Sequence, residues 1–230
     1  MEKNSNLRFH LKKFTLQTSS GLLLTPIVHE TLPYVFTWPA SQLLSLFLAS
    51  NSEQFKNKKV IELGAGTGLV SIVSAMLGST LVVSTDRDDQ IIQNNLIKTI
   101  ELNNLNRIVY PRPLDWFNTY KLEREFKFDF IIAADVFYSS EDFDQILFQV
   151  YSIFLDNPLC KFITAYQERS SSRNLIPLID KYNMKAKYLS QDSFLHMNHI
   201  YQNDLTNPNC SINFENFDHI HLIQIELNAS

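Results

Sequence analysis

Val60-Ile61-Glu62-Leu63-Gly64-Ala65-Gly66-Thr67-Gly68-Leu69-Val70-Ser71-Ile72-Val73 is the stretch that decides how this chain folds. A short apolar run, the length of a buried strand, meets three glycines at alternate positions. A second apolar segment, Leu69 to Leu77, begins at once, and Gly78 stands where a helix cap belongs. The chain has only five glycines, so three of them in one turn ask for a reason. Glycine reaches backbone conformations closed to other residues and lets a ligand approach the main chain closely. The pattern predicts strand, tight turn and helix, and such a turn is where open α/β sheets bind nucleotide-like ligands.

Outward from that stretch, strand and helix patterns alternate. Leu81 to Thr85 reads as a buried strand ending at Asp86, followed by a helix marked by Ile91, Ile92, Asn95, Leu96 and Ile100. Arg107 to Tyr110 is a third strand, and Phe128 to Ala133 a fourth that ends at Ala134-Asp135. Ser139 and Asp142 have the spacing of a capping box ahead of Phe143, Ile146, Leu147, Val150 and Phe154, which share one helical face. Lys161 to Ala165 gives a fifth strand and Asn174 to Tyr182 a helix; Lys185 to Leu189 and His219 to Leu227 read as closing strands. The polar, Asn-rich stretch from Ser190 to Asp218 reads as a long loop.

Upstream, Trp38-Pro39 opens a helix carrying Leu43, Leu44, Phe47 and Leu48, since proline suits a first turn. Residues 7–31 show partial alternation with a turn signal at Ser19-Ser20-Gly21 and read as short strands. The expectation is an α/β, Rossmann-like fold: a seven-stranded, mostly parallel sheet with helices on both faces, built from residues 34–230. A short N-terminal β appendage, residues 1–33, precedes it.

Composition narrows the function classes. With 230 residues, 45% hydrophobic and 19% charged, the chain can bury a core, which excludes a disordered chain. No segment approaches the roughly 20 apolar residues of a membrane-spanning helix, and the N-terminus lacks the basic-then-apolar order of a secretory signal. A net charge of −4 is not the basic footprint of a general nucleic-acid binder. Cys160 and Cys210 form neither a disulfide framework nor a CxxC pair, which suits a reducing compartment, and the six histidines show no metal-ligand spacing. No metal is expected.

The residues around the turn choose among adenosine-containing ligands. Asp86 lies 20 residues beyond Gly66 at the end of the next strand, where a carboxylate can accept both hydroxyls of a ribose. Position 69 is Leu, so the turn is GxGxG and not the dinucleotide GxGxxG; no Lys-Ser/Thr follows it, which excludes a Walker-type loop. Glu62 would repel a pyrophosphate seated at the helix N-terminus but would welcome a sulfonium and an ammonium. The ligand expected on these grounds is S-adenosylmethionine.

At this point the chain resembles the seven-β-strand (class I) methyltransferases, and among them the small protein methyltransferases grouped as methyltransferase-like proteins. The segments that carry the resemblance are Phe36-Thr37-Trp38-Pro39-Ala40, Glu62 to Leu69, Thr85-Asp86, Leu114-Asp115-Trp116 and Ala134-Asp135-Val136-Phe137-Tyr138. The glycine segment is specific only to the class; the Trp-Pro-Ala, Leu-x-Trp and Asp-x-x-Tyr segments together are more so. The resemblance implies cofactor contacts at Trp38, Gly64, Ala65, Gly66, Asp86, Trp116 and Ala134, to which the charge argument adds Glu62. As residues alone, Trp38 and Trp116 stay open as core aromatics. One departure is Phe117, where the group usually has Gly.

The acceptor is read from chemistry and resemblance together. A lysine must lose its proton before it attacks, which a desolvated, aromatic-lined pocket favours. An arginine, with a pKa above about 12, needs carboxylates that hold its guanidinium plane and aim one nitrogen. Asp135, at the end of the fourth strand, is the candidate acid, Tyr138 a wall or hydrogen-bonding group, and Glu168 a second carboxylate for which a solvated loop acid is the plainer reading. Phe137 reads as core. The Asn/Asp-Pro-Pro-Tyr/Phe segment of amide and adenine methyltransferases is missing, against a nucleic-acid or glutamine acceptor.

Asp135 to Phe143, Thr164 to Ser170 and Lys181 to Lys185 resemble the branch of the group that acts on histone arginine. The resemblance therefore implies a protein substrate, an arginine of histone H3, met in nucleus and cytoplasm, with no membrane association and no direct nucleic-acid binding. The alternatives are a lysine acceptor in a non-histone protein, or a catalytically silent scaffold of the same fold. An NAD-type oxidoreductase is opposed by Glu62 and Leu69.

Overall fold

A computed structural model describes residues 7–117, 127–167, 174–195, 199–207, 211–212 and 217–228. The chain starts with three antiparallel strands, β1 (Arg8–Gln17), β2 (Leu23–Leu24) and β3 (Ile27–Leu32), and enters α1 (Pro39–Ser50) at Pro39, as the Trp-Pro pair predicts. Then β4 (Lys59–Leu63), α2 (Leu69–Met76), β5 (Leu81–Asp86), α3 (Gln90–Leu102), β6 (Val109–Pro113), β7 (Phe130–Ala134), α4 (Phe143–Asp156) and β8 (Lys161–Gln167) alternate strand with helix for most of their length. The last part holds α5 (Ile176–Lys181), β9 (Met184–Leu189), α6 (Asp192–Leu195), β10 (Tyr201–Asp204), β11 (Ser211–Ile212) and β12 (Ile220–Leu227).

Seven strands form one sheet in the order β6-β5-β4-β7-β8-β12-β9. The first five run parallel, and β12 lies antiparallel between β8 and β9. This is the expected fold. Its central strands are apolar at consecutive positions because both faces are covered. Val60, Val82, Ile132 and Ile163 join one buried cluster with α1 and α2, while Ile61, Val83, Ile131 and Phe162 join another with α4 and α5. The order reverses beside β4, which leaves a crevice at the carboxyl ends of β4 and β7.

Three expectations are corrected. The third strand runs from Val109 to Pro113, beyond the predicted Tyr110. Pro111 and Pro113 lack donors, but β6 is an edge strand, where a missing donor breaks no ladder on the open side. The Ser139/Asp142 capping box does not form: Asp142 makes no side-chain cap bond to α4, and its own N–H donates to the Ser139 carbonyl at 3.1 Å.

The stretch from 190 to 218, read as a loop, contains β10 and β11. They complete a second sheet in the order β11-β10-β1-β2, with β3 on the other side of β1. Lys12 pairs with Asp204 and Phe14 with Gln202 across that ladder. Phe14 and Leu16 are fully buried in the same cluster as α1 and α2, so this sheet packs onto the main core.

Candidate active site

The glycine turn is built from three left-handed residues: Gly64, Gly66 and Gly68 have φ of +66°, +55° and +83°. Two of them are needed for different reasons. A Cβ on Gly64 would lie 2.7 Å from Val136 Cγ1 and 3.4 Å from Trp116 Cζ2, so the protein itself fills that side. A Cβ on Gly66 would meet nothing within 4 Å, because Gly66 faces an open cleft of about 550 Å³. That size lies within the range of small-molecule sites.

Asp86 sits across the turn. Its Oδ2 accepts from the Gly66 N–H at 2.8 Å and its Oδ1 from the Arg87 N–H at 2.8 Å. Burial pushes the Asp86 carboxyl above its ordinary range, while these two N–H groups pull it back. Each oxygen keeps lone-pair capacity for a ligand hydroxyl, since an ionised carboxylate has about four acceptor positions. The 20-residue spacing read from the sequence is thus realised as a direct contact between Asp86 and the middle glycine.

Two aromatic segments wall the cleft. Trp38 is 45% exposed and packs on Phe36 with ring centroids 4.3 Å apart, which removes the core reading for it. Trp116 packs against the second core cluster and also lines the cleft, so both readings hold in part. Phe117, in place of glycine, is 62% exposed at the mouth; its N–H donates to Asp115 Oδ1 at 3.0 Å. Ala134 lies at the end of β7, beside the cleft.

At Asp135 the chain turns with φ of +56°, a conformation that aspartate tolerates better than most side chains. Its N–H donates to the Ala165 carbonyl at 2.8 Å, and the residue, 7% exposed, lines the cleft together with Tyr138. Burial and then the charge of Asp142 raise the Tyr138 phenol above its ordinary value. Phe137 is fully buried against Phe143 and Tyr166, the core role expected for it.

Two predicted residues are not brought to this wall. Glu62, 1% exposed, turns away onto the first turn of α2, where its Oε2 accepts from the Ser71 N–H at 2.9 Å and from the Ser71 hydroxyl. Burial pushes its carboxyl up to about 8, so at neutral pH it is largely protonated and the charge argument made for it does not apply. Ala65 packs among Val35, Ile92 and Leu96. Glu168 lies outside the described residues.

The cleft also takes in Tyr34, Arg87 and Asp142, which sequence reasoning missed as site residues. Position was the available signal for Arg87, which directly follows Asp86; Asp142 was hidden by its resemblance to a cap.

Among the described lining residues, Asp86, Asp115, Asp135 and Asp142 stand against one cation, Arg87. Such a wall suits a ligand bearing a sulfonium and an ammonium and opposes a pyrophosphate. Aromatic faces at Trp38 and Trp116 suit an adenine, and Asp86 suits ribose hydroxyls. An open sheet that binds at the carboxyl ends of its strands, with this acid-rich cleft, belongs to the class I methyltransferases, and the cofactor is S-adenosylmethionine.

The profile of the lysine methyltransferase family matches residues 35–181, and the chain belongs to that family. It is 31% identical to methyltransferase-like protein 23 of Dictyostelium discoideum over 175 residues, covering 68% of this chain and 69% of that protein. Histone-arginine methyltransferase METTL23 of Homo sapiens is 28% identical over 161 residues, 70% of this chain and 84% of that one. Protein N-lysine methyltransferase METTL21A of Xenopus tropicalis is 39% identical over a shorter span of 112 residues, 48% and 50% of the two chains. Among solved structures, magnesium protoporphyrin IX methyltransferase from Synechocystis with bound S-adenosylmethionine shares the fold. Its TM-score is 0.52 at 13% identity, with 82% of this chain and 79% of that one covered. The chain is an S-adenosylmethionine-dependent protein methyltransferase.

Proposed function

We propose that this methyltransferase acts on arginine, in histone H3, which it meets in nucleus and cytoplasm. The observation that carries the reading is the acid-rich wall around Asp135. Carboxylates beside an ammonium hold its proton on and oppose the deprotonation a lysine acceptor requires. The same carboxylates are what an arginine acceptor needs, because its guanidinium stays charged and must be held in one plane.

When bound, S-adenosylmethionine supplies a methyl group already activated by its sulfonium, for in-line displacement with S-adenosylhomocysteine as the product. The chain's own contribution is then positioning and charge. Gly66 and Asp86 hold the adenosine end, Trp38 and Trp116 enclose it, and Asp135 with Tyr138 orients the acceptor nitrogen. The proton of that nitrogen leaves to the Asp135 carboxylate or to water as the N–C bond forms and the S–C bond breaks. The METTL23 relatives, named as histone-arginine enzymes, support the arginine reading.

A lysine acceptor is the second reading. It is favoured by the family's description and by the METTL21A likeness, and the exposed rings of Trp38, Phe117 and Tyr138 would serve as walls for an alkylammonium.

The test is incubation with methyl-labelled S-adenosylmethionine and core histones, followed by mass spectrometry of the labelled product. Label on an H3 arginine supports the proposal; label on lysine overturns it and leaves the fold and cofactor untouched. Asp135→Ala is expected to keep cofactor binding, since Asp86, Asp115 and Asp142 remain in the wall, and to lose turnover. Wild-type turnover in that variant removes Asp135 from the acceptor site.

A further inference from the structure

Helix α1 begins with no acidic residue in its first turn and no side chain of its own accepting from its N-terminal N–H groups. The acid near that end comes from another element. Glu30 on β3 is 1% exposed; its Oε1 accepts from the Thr37 N–H at 2.8 Å, and its Oε2 pairs with Lys12 Nζ on β1 at 3.0 Å. In the β1–β3 ladder His10 faces Glu30 and Lys12 faces Val28, so the antiparallel register sets this pair on a diagonal.

Thr37 carries the connection onward. Its hydroxyl donates to Thr67 Oγ1 at 3.3 Å, inside the glycine turn. Its chain neighbours are Phe36 and Trp38, whose rings pack on one another at a tilt of 41° and line the cleft. A buried ion pair is weak evidence for stability, because an apolar pair of similar volume often holds a fold as well. Direction is what the carboxylate adds: it fixes one backbone N–H, and with it the strip that places Trp38.

We propose that Glu30 is a positioning residue of the cofactor site, acting through Thr37 on Trp38 and on the glycine turn, so that the N-terminal sheet is a working part of that site. The proposal does not depend on which residue is methylated.

The experiment compares two double variants whose buried pair is neutral. Lys12→Met with Glu30→Gln keeps an acceptor for the Thr37 N–H; Lys12→Met with Glu30→Leu removes it. Both tryptophans of the chain line the cleft, so quenching of intrinsic fluorescence by S-adenosylmethionine, far below the melting temperature, gives the dissociation constant. The Gln variant is expected to bind like the wild type, and the Leu variant roughly tenfold more weakly. A role in stability alone would not separate the two.

Equal affinity in the two variants, whether retained or lost, overturns the assignment. Thr37→Val offers a second arm that leaves the ion pair intact: it is expected to weaken binding several-fold at an unchanged melting temperature. Wild-type affinity there overturns the link to the glycine turn.

Discussion

Alanine placed separately at Gly64 and at Gly66 should divide the two demands made on the glycine turn. Both residues have positive φ, +66° and +55°, and an L-residue held there costs about 1–2 kcal/mol. At Gly64 the new methyl meets Val136 Cγ1 at 2.7 Å, and Val136 is only 2% exposed, so relief needs repacking. Overpacking of that kind adds roughly 1–3 kcal/mol, for a sum of roughly 2–5 kcal/mol. At about 2–4 °C per kcal/mol for a chain of this size, the melting temperature falls by roughly 4–20 °C. At Gly66 nothing lies within 4 Å, so only the backbone cost applies, a fall of roughly 2–8 °C. There the methyl projects into the cleft, and a clash of roughly 1–3 kcal/mol with the ligand weakens binding about 5- to 150-fold. Calorimetric melting and a tryptophan-quenching titration with S-adenosylmethionine measure both quantities. Gly66→Ala binding as tightly as the wild type, or Gly64→Ala melting no lower than Gly66→Ala, would refute the reasoning.

Asp86→Ala removes a carboxylate placed to accept two ligand hydroxyls and is expected to lower cofactor affinity roughly a hundredfold or more; isothermal titration within tenfold of the wild type would show that another group holds the ribose. Glu62 is raised from 4.5 to about 8 by burial, so between those values the folded chain holds a proton that the unfolded chain lacks. Its contribution to stability is complete below about pH 4.5 and is lost as pH rises through about 8. Glu62→Gln should therefore flatten the fall in melting temperature between pH 5 and 8, and a wild-type slope in that variant would contradict the assignment. Lys12→Met alone leaves the Glu30 carboxylate buried without its counter-charge and is expected to destabilise by roughly 3–5 kcal/mol, read from urea unfolding; a loss under 1 kcal/mol would show that the carboxyl does not depend on Lys12.

Local pattern made half of the cleft readable. The glycine turn, Asp86 and Ala134-Asp135 all lie where a strand ends, and strand ends are visible as changes of hydrophobic period. The direction of Glu62 was also accessible: with a period of two it shares a face with Val60, the face covered by α2. Asp142 and Arg87 were less so, because what a polar side chain at an element's end touches depends on the path of the chain around it.

Hydrophobic period and glycine placement determined, from sequence alone, the seven-stranded sheet and the position of its ligand-binding edge, since strand, turn and helix each follow from interactions within a few residues; the cofactor was read from Asp86, 20 residues beyond the turn, and from the resemblance. The tertiary structure alone decided the rest. β10, Tyr201-Gln202-Asn203-Asp204, has no apolar pattern of its own and becomes a strand by pairing with β1 from the far end of the chain. Lys12, Glu30, Thr37 and Thr67 come from four separate segments, and no periodicity along the chain records that they meet. Contacts of that kind are set by packing between elements, where distance in space is independent of distance in sequence.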